Sequence, residues 1–263
     1  MNKIFTGFFM AWGNFTQVPC PVKVWDEKAR RWMLALMPFA GLACGAIQFA
    51  AAFLLNVLST QGGSVTAQPV AAALLTAVPF LVCGFIHLDG YMDVSDAVLS
   101  RRSLEKRREI LKDSRVGAFA VIMVVLLFMT YFAAMLSIVY SEDFICRAAA
   151  LVAVPVIARA LASRDVLVRK PMGESQYAAM EKKGGAENWA GIIFCLVAAL
   201  SIMISFNIFG VWKYGVAAFV GAFAGQVAAS AYGRNNLQGM NGDIAGFSIV
   251  VGELAGVVAC SLI

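Results

Sequence analysis

The sequence predicts an all-α integral membrane protein, a polytopic bundle of about seven transmembrane helices formed by one domain over residues 1–263. Three observations predict it: an apolar composition, long stretches without charge, and basic residues gathered in alternate loops. Hydrophobic residues make up 60% of the 263 positions, charged residues make up 14%, and the mean hydropathy is +0.77. A soluble domain has about 45–50% apolar and about 25% charged residues. This chain lacks the polar shell that water requires, so a lipid bilayer is its expected surrounding.

Seven segments are long and apolar enough to cross a membrane, which takes roughly 20 residues in a helix. They lie at about 33–58, 66–86, 116–140, 144–163, 188–208, 211–231 and 244–262. Very short turns join the third segment to the fourth and the fifth to the sixth. Each of these two pairs is therefore predicted to form a helical hairpin.

The N-terminal residues 1–32 are predicted to lie at the interface or in the cytoplasm rather than to span the membrane. Residues 4–18 are apolar, but they contain Gly13 and Asn14 and end just before Pro19. Such a segment suits an interfacial or re-entrant helix. It is also a poor signal peptide, because it lacks a small-residue cleavage site.

The distribution of Lys and Arg predicts the orientation. With the N-terminus in the cytoplasm, eighteen of the 21 basic residues fall on the cytoplasmic side. The 59–65 loop has no basic residue, and the 141–143 turn is Ser-Glu-Asp. Because cytoplasmic loops carry the excess of Lys and Arg, the 87–115 and 164–187 loops are predicted inside and the C-terminus outside.

Three carboxylates come directly after the second predicted span. Asp89, Asp93 and Asp96 have the spacing i, i+4, i+7, which places them on one face of a helix. Like charges at this spacing repel one another, and a divalent cation removes the repulsion. Mg²⁺ binds to few carboxylates and takes its other ligands from water and substrate phosphates. The three acids are therefore the candidate metal ligands; the alternative is a solvated helix end.

Two neighbouring features add candidate catalytic groups. His87, the only histidine, precedes the acids by two residues; it is either a site residue or a hydrogen-bonded structural residue. Lys112, Asp113, Ser114 and Arg115 stand together just before the third span. They offer two cations, a carboxylate and a hydroxyl to a substrate rich in phosphate.

The last predicted span carries two more acids. Asp243 begins it after Asn241 and Gly242, and Glu253 lies ten residues, nearly three helical turns, deeper. Ionisable residues at membrane depth face the bundle interior, so Asp243 and Glu253 are expected to line the same cavity as Asp89. Arg159 in the fourth span is the candidate counter-charge of Glu253, and a purely structural pair is the alternative.

These motifs resemble the cobalamin synthase (adenosylcobinamide-GDP ribazoletransferase) family. The specific part is His87-Leu88-Asp89-Gly90 with Asp93 and Asp96, followed by Lys112-Asp113-Ser114-Arg115-Val116-Gly117. The segments Gly239-Met240-Asn241-Gly242-Asp243, Phe15-Thr16-Gln17-Val18-Pro19 and Pro38-Phe39-Ala40-Gly41 are similar to further family patterns. The resemblance runs along nearly the whole chain in the family's order.

The resemblance implies the last assembly step of adenosylcobalamin. In that reaction α-ribazole, or its 5′-phosphate, displaces GMP from adenosylcobinamide-GDP. It implies Mg²⁺ as cofactor, the prokaryotic cytoplasmic (inner) membrane as location, and a site that faces the cytoplasm. Lys112 and Arg115 would hold phosphate oxygens, and a carboxylate or His87 would take the proton of the attacking hydroxyl. Ser114, Asn241, Asp243, Glu253 and Arg159 are further site candidates.

Two other function classes remain open from the residues. A CDP-alcohol phosphotransferase also uses Mg²⁺ on helix-borne aspartates, but its Ala-Arg element and long aspartate spacing are absent here. A proton-coupled transporter would use intramembrane acids, but these acids gather at the cytoplasmic surface beside a basic loop. The expected partners are the two substrates and the lipid bilayer, with no nucleic acid; a homo-oligomer is compatible with the sequence.

Overall fold

The computed structural model describes residues 2–60, 68–173 and 212–263, and this part of the chain forms eleven α-helices. A single turn of 3₁₀-helix, Glu27–Ala29, precedes α2. The helices are α1 Lys3–Phe15, α2 Arg30–Ala35, α3 Met37–Thr60, α4 Gln68–Val82, α5 Ile86–Leu99, α6 Leu104–Ile110, α7 Ala118–Val139, α8 Phe144–Leu151, α9 Val154–Val168, α10 Trp212–Leu237 and α11 Gly242–Ser261.

The described helices confirm the predicted all-α membrane fold. Five are long and apolar enough to cross a bilayer, counting α8 with α9 as one, and the bent pair α4–α5 makes a sixth candidate. Many apolar side chains of α7 lie on the surface of the bundle: only 28% of its most hydrophobic 18-residue stretch is buried in the protein. The predicted span at 188–208 lies outside the described residues.

Several predicted boundaries are corrected by the structure. The span predicted at 144–163 is two helices, α8 and α9, and it continues to Val168. Pro155 stands in the first turn of α9, where its missing N–H costs no helical hydrogen bond. The span predicted at 211–231 continues to Leu237, and the one predicted at 33–58 begins at Met37 after a break from α2.

The second predicted span, 66–86, is also corrected, because it ends at Val82 and the chain turns by 92° into α5. Gly84 and Phe85 both have positive φ, 61° and 63°, and two left-handed residues in succession cannot continue an α-helix. The side chain of Gln17 packs against Gly84 so closely that a β-carbon there would overlap it. The Gln17 N–H also donates a 2.7 Å hydrogen bond to the carbonyl of Val82, at the end of α4.

The bend also determines the path of the chain after α4. Residues 87–115, predicted as the cytoplasmic segment between two spans with its acids on one helix face, form α5 and α6 with short connections. α5 crosses α11 closely where Gly90 and Gly246 face the partner helix. A β-carbon on Gly246 would lie 3.0 Å from the His87 carbonyl oxygen, and one on Gly90 would lie 2.7 Å from that of Asp243. The two glycines therefore bring α5 against the start of α11.

The N-terminal helix α1 has 13 residues, too few to cross a bilayer, as the sequence predicts. It packs on α2 and α3. Its buried residues include Met10, Ala11 and Phe15, so one face belongs to the bundle core. This position brings the end of α1 to the start of α5.

Candidate functional site

The three aspartates of α5 line one cavity together with the segment between α6 and α7. We call it the acid cavity; its volume is about 290 Å³. Its lining consists of Asp89, Met92, Asp93, Asp96, Ile110, Leu111, Lys112, Asp113, Ser114, Arg115, Val116, Gly117 and Ala120. The structure thus brings together the two predicted groups, the carboxylates and the basic tetrapeptide, from separate elements of the chain.

The acids face this cavity because the other side of α5 is buried. Leu88, Tyr91 and Val94 pack into the core, with at most 8% of each residue exposed. The Tyr91 hydroxyl donates to the Met123 carbonyl at 3.2 Å, and the Tyr91 ring stacks on Phe247 at 5.5 Å. These contacts with α7 and α11 fix the rotation of α5 about its axis and leave the acidic face toward the cavity.

Asp96 lies against the start of α7. A β-carbon on Gly117 would overlap both carboxylate oxygens of Asp96, so the present position of that side chain requires glycine here. Gly117 is the residue before the first turn of α7, where unpaired N–H groups and the helix dipole favour a negative charge. The glycine that ends the basic segment is therefore part of the wall that holds Asp96.

Within the basic segment, Asp113 and Arg115 are paired with each other. The Arg115 guanidinium donates to the Asp113 carboxylate at 2.6–3.2 Å, and 88% of the Arg115 side chain is exposed. The hydrogen bonds from the Arg115 side chain and backbone lower the pKa of Asp113 to about 2, so its carboxylate is ionised at neutral pH. Over the described residues, Lys112 has no salt-bridge partner.

The donor set of the acid cavity is chemically suited to Mg²⁺. Asp89, Asp93 and Asp96 have no cationic partner within salt-bridge distance in the described part of the chain. Over the same residues, no group of three or more His, Cys, Asp or Glu side chains converges enough to hold a metal ion by itself. Mg²⁺ is commonly held by one or two carboxylates, waters and substrate phosphates, so a site completed by substrate agrees with this geometry.

A second cavity lies on the other side of Asp89, and we call it the N-terminal cavity. Its volume is about 250 Å³. It is lined by Asn14, Phe15, Trp25, Arg30, Met33, Leu34, Met37, Ile86, His87, Asp89, Val166, Gly242, Asp243, Ala245, Gly246 and Ile249. Asp89 lines both cavities, and His87 lines only this one. His87 is thus separated from Asp93, Asp96 and Lys112.

Of the residues that line this cavity, sequence reasoning predicted only His87, Asp89 and Asp243 as site residues; those it missed include Asn14, Phe15 and Trp25. The available signals were an amide in an otherwise apolar N-terminal segment and a tryptophan in the stretch predicted to be interfacial. Neither signal points to a site without the packing of α1 on α2 and α3.

Asn241 and Asp243 begin α11 beside this cavity. The Asn241 side-chain oxygen accepts from the Ile244 N–H at 2.9 Å, which caps the helix, and its amide donates to the Asp243 carboxylate at 2.6 Å. Asp243 lines the N-terminal cavity together with Asp89, as the sequence predicts. Asn241 positions Asp243 and lines neither cavity.

Glu253 and Arg159 lie deeper in the bundle. Arg159 donates to the Glu253 carboxylate at 2.5 Å and to the Pro155 carbonyl at 2.9 Å, and its other nitrogen contacts the Cys83 sulfur at 3.0 Å. Both side chains are almost fully buried, with 1% and 5% exposed. Glu253 lines neither cavity, so the geometry corresponds to the structural pair rather than to a place beside Asp89.

Comparison with known proteins decides the family. A profile of the family described as cobalamin-5-phosphate synthase matches residues 7–261. The chain belongs to the cobalamin-5-phosphate synthase family. It is 34% identical over 263 residues to an adenosylcobinamide-GDP ribazoletransferase of Clostridium perfringens, covering both chains completely. The enzyme of that name from Geobacillus thermodenitrificans is 30% identical over 258 residues, which cover 96% of this chain and 94% of that one.

The match to cobalamin-5-phosphate synthases includes all residues that line either cavity, because it extends from α1 to the end of α11. No solved structure matches the chain. The arrangement of the two cavities around Asp89 is therefore observed in the structure of this protein and is not inferred from a solved relative.

Proposed function

We propose that this protein is an adenosylcobinamide-GDP ribazoletransferase, which joins ribazole to adenosylcobinamide phosphate with release of GMP in the final assembly step of cobalamin. The observation that carries the proposal is the acid cavity, where three carboxylates of α5 face Lys112 and Ser114. Family membership supports this function over a phospholipid-forming enzyme or a transporter.

The chemistry is transfer of the adenosylcobinamide phosphoryl group from GMP, through cleavage of the diphosphate, to a hydroxyl group of ribazole. A ribose hydroxyl of ribazole, or of its 5′-phosphate, attacks the phosphorus that bears the cobinamide ester. A new P–O bond forms, the P–O bond to GMP breaks, and GMP leaves with the bridging oxygen. The hydroxyl proton passes to a base, for which a carboxylate of the cavity or His87 is the candidate. Such reactions depend mostly on positioning and on neutralising the charge of the phosphates.

The lining of the acid cavity provides these functions. Asp89, Asp93 and Asp96 would hold Mg²⁺, which when bound supplies positive charge for the diphosphate and the leaving phosphate. Lys112 would contact phosphate oxygens directly, since it has no salt-bridge partner among the described residues. Arg115, held by Asp113, would contribute its remaining donors at the cavity rim. We further propose that this cavity faces the cytoplasm of a prokaryotic inner membrane, on the side that carries most basic residues.

The proposal is tested by GMP release from purified protein in detergent with Mg²⁺, adenosylcobinamide-GDP and α-ribazole 5′-phosphate. Release requires both substrates, stops in EDTA, and returns with added Mg²⁺. Asp93→Asn and Asp96→Asn each lower the rate of GMP release more than about tenfold, because a site with fewer carboxylates binds Mg²⁺ more weakly. Glu109→Gln is the matched control, since that acid lies at the same end of the molecule but outside the cavity. Full activity of both Asp variants would contradict the proposed metal site; absence of GMP release by the wild type would contradict the function.

A further inference from the structure

We infer that the N-terminal cavity binds the aromatic base of ribazole, the nucleophile, while the acid cavity takes the diphosphate of the other substrate. This inference rests on the proposed function and assigns its two substrates to two places. The first reason is that Asp89 lines both cavities. A two-substrate transfer needs adjacent places that meet where the bond forms, and the wall at Asp89 is where these two cavities adjoin.

The second reason is the aromatic lining. The rings of Phe15 and His87 are stacked, with centroids 6.0 Å apart and an interplanar angle of 21°. Trp25 lines the same cavity; its indole N–H donates to Glu27 at 2.8 Å, and the Arg30 guanidinium lies over its ring at 5.6 Å. These partners hold Trp25 in place. Flat aromatic walls favour a planar apolar ligand.

The third reason is a buried polar atom with no partner. His87 is 8% exposed, and its Nε2 forms no hydrogen bond within the described residues although it is buried. A buried nitrogen without a partner is costly, and a ligand in the cavity that His87 lines would supply that partner once the imidazole turns toward it. Ribazole offers the unsubstituted ring nitrogen of its benzimidazole and its ribose hydroxyls.

The lining also distinguishes this base from guanine, the other aromatic group in the reaction. Most of the remaining wall is apolar, including Met33, Leu34 and Ile249. The polar side chains of the lining are Asn14, Arg30, His87, Asp89 and Asp243, and Asp243 already accepts from Asn241. Guanine carries several donors and acceptors on its edges, whereas a benzimidazole has one ring acceptor and otherwise offers apolar surface to Met33, Leu34 and Ile249. The cavity therefore fits the base of ribazole better.

Steady-state kinetics with each substrate varied in turn test the assignment. Phe15→Leu and Trp25→Leu each raise KM for α-ribazole about tenfold, as expected for a lost base–aromatic contact, with KM for adenosylcobinamide-GDP unchanged. Lys112→Ala raises KM for adenosylcobinamide-GDP and leaves KM for α-ribazole unchanged. Phe8→Leu is the matched control, because Phe8 lies on α1 and packs on Phe39 outside the cavity. Trp25 is 55% exposed, so its variant remains informative if Phe15→Leu fails to fold.

The outcomes separate the inference from the proposed function. Wild-type protein without GMP release would overturn both. Active wild type with unchanged ribazole KM in the two aromatic variants would overturn the inference alone. A rise in KM for adenosylcobinamide-GDP instead would place guanine in the N-terminal cavity and also overturn it. Equilibrium dialysis of labelled α-ribazole against wild type and Trp25→Leu checks binding without turnover; a lower affinity of the variant supports the assignment, and equal affinity contradicts it.

Discussion

At the scale of residues, the charged groups of this protein have two different tasks. The carboxylates of α5 face a cavity and have no cationic partners in the described chain, whereas Glu253 is neutralised by Arg159 in the bundle interior. Arg159 also contacts the Pro155 carbonyl and Cys83, next to the bend between α4 and α5. A charge at this depth needs such partners, because leaving it unpaired is costly. The pair therefore joins α9, α11 and the end of α4.

Removing one member of this pair should lower stability. Glu253→Gln leaves the buried guanidinium without its counter-charge, with an expected cost of about 3–5 kcal/mol. The melting temperature of the detergent-solubilised protein falls, and GMP release per folded molecule changes little, since Glu253 lines neither cavity. Heating samples to a series of temperatures and measuring the remaining folded protein by size-exclusion chromatography gives the melting temperature. The double variant Glu253→Gln, Arg159→Gln recovers most of the loss. A Glu253→Gln protein with normal melting temperature but little turnover would instead assign Glu253 to the site.

At the scale of elements, the short helix α6 holds the basic segment over the acid cavity. None of its residues is fully buried, and its apolar contact with the core is made at its end, by Ile110 and the following Leu111. Two arginines attach it to the end of α10. Arg108 donates to the carbonyls of Leu237 and Gln238 at 2.9–3.1 Å, and Arg107 donates to Asn236 at 3.1–3.3 Å. Both satisfy carbonyl groups where α10 ends, and a cation there also suits the helix dipole.

Loss of this attachment should weaken substrate binding more than stability. Charge-assisted hydrogen bonds contribute about 1.5–3 kcal/mol each, so a double Arg107→Ala, Arg108→Ala variant should raise KM for adenosylcobinamide-GDP by about tenfold or more. The reason is that Lys112 and Ser114, which follow α6, are then no longer held beside the acid cavity. KM for ribazole and the melting temperature should change little. Arg102→Ala is the control, because its exposed side chain precedes α6 and makes no described hydrogen bond. An equal KM for adenosylcobinamide-GDP in the wild type, the double variant and Arg102→Ala would show that other contacts hold α6 in position.

At the scale of the whole molecule, the two ends of the bundle differ in chemistry. Both cavities and the helix starts that border them, Ile86 and Gly242, lie at one end. The other end is closed by contacts among Asp143, Arg147 and Tyr214: the tyrosine hydroxyl donates to the aspartate at 2.5 Å, and the guanidinium lies 4.4 Å from the tyrosine ring centre. Arg147 also donates to the Cys260 carbonyl near the C-terminus at 2.7 Å. The last helix therefore runs from the cavity end to the opposite end.

The distribution of basic residues predicts which end faces the cytoplasm. In a variant without the six native cysteines, a cysteine introduced at Leu104 should react with a membrane-impermeant maleimide only after the cells are opened. A cysteine at Leu262, which is 79% exposed, should react in intact cells. Labelling of position 104 from outside would reverse the orientation. Labelling of both positions only in opened cells would mean that the number of crossings has been miscounted.

Some features of the molecule are determined by the sequence alone, because they depend on neighbouring residues. The bilayer setting is a consequence of composition, and the shared face of Asp89, Asp93 and Asp96 is a consequence of helical spacing. Family membership was also predictable, since it lies in short motifs that keep their order along the chain. The Arg159–Glu253 pair was foreseeable as well, as one of two alternatives, because a buried charge demands an opposite one.

Only the tertiary structure decides the rest. The left-handed residues Gly84 and Phe85 end the predicted second span at α4 and turn the chain by 92° into α5. The packing around α5 then lets both His87 and Asp89 line the N-terminal cavity, whereas only Asp89 also lines the acid cavity. The N-terminal cavity joins residues from α1, α2, α3, α5, α9 and α11, which meet only when the helices pack. Spacing along one helix is a local property, whereas a cavity is the space left between helices distant in the chain, so periodicity predicts the first and cannot predict the second.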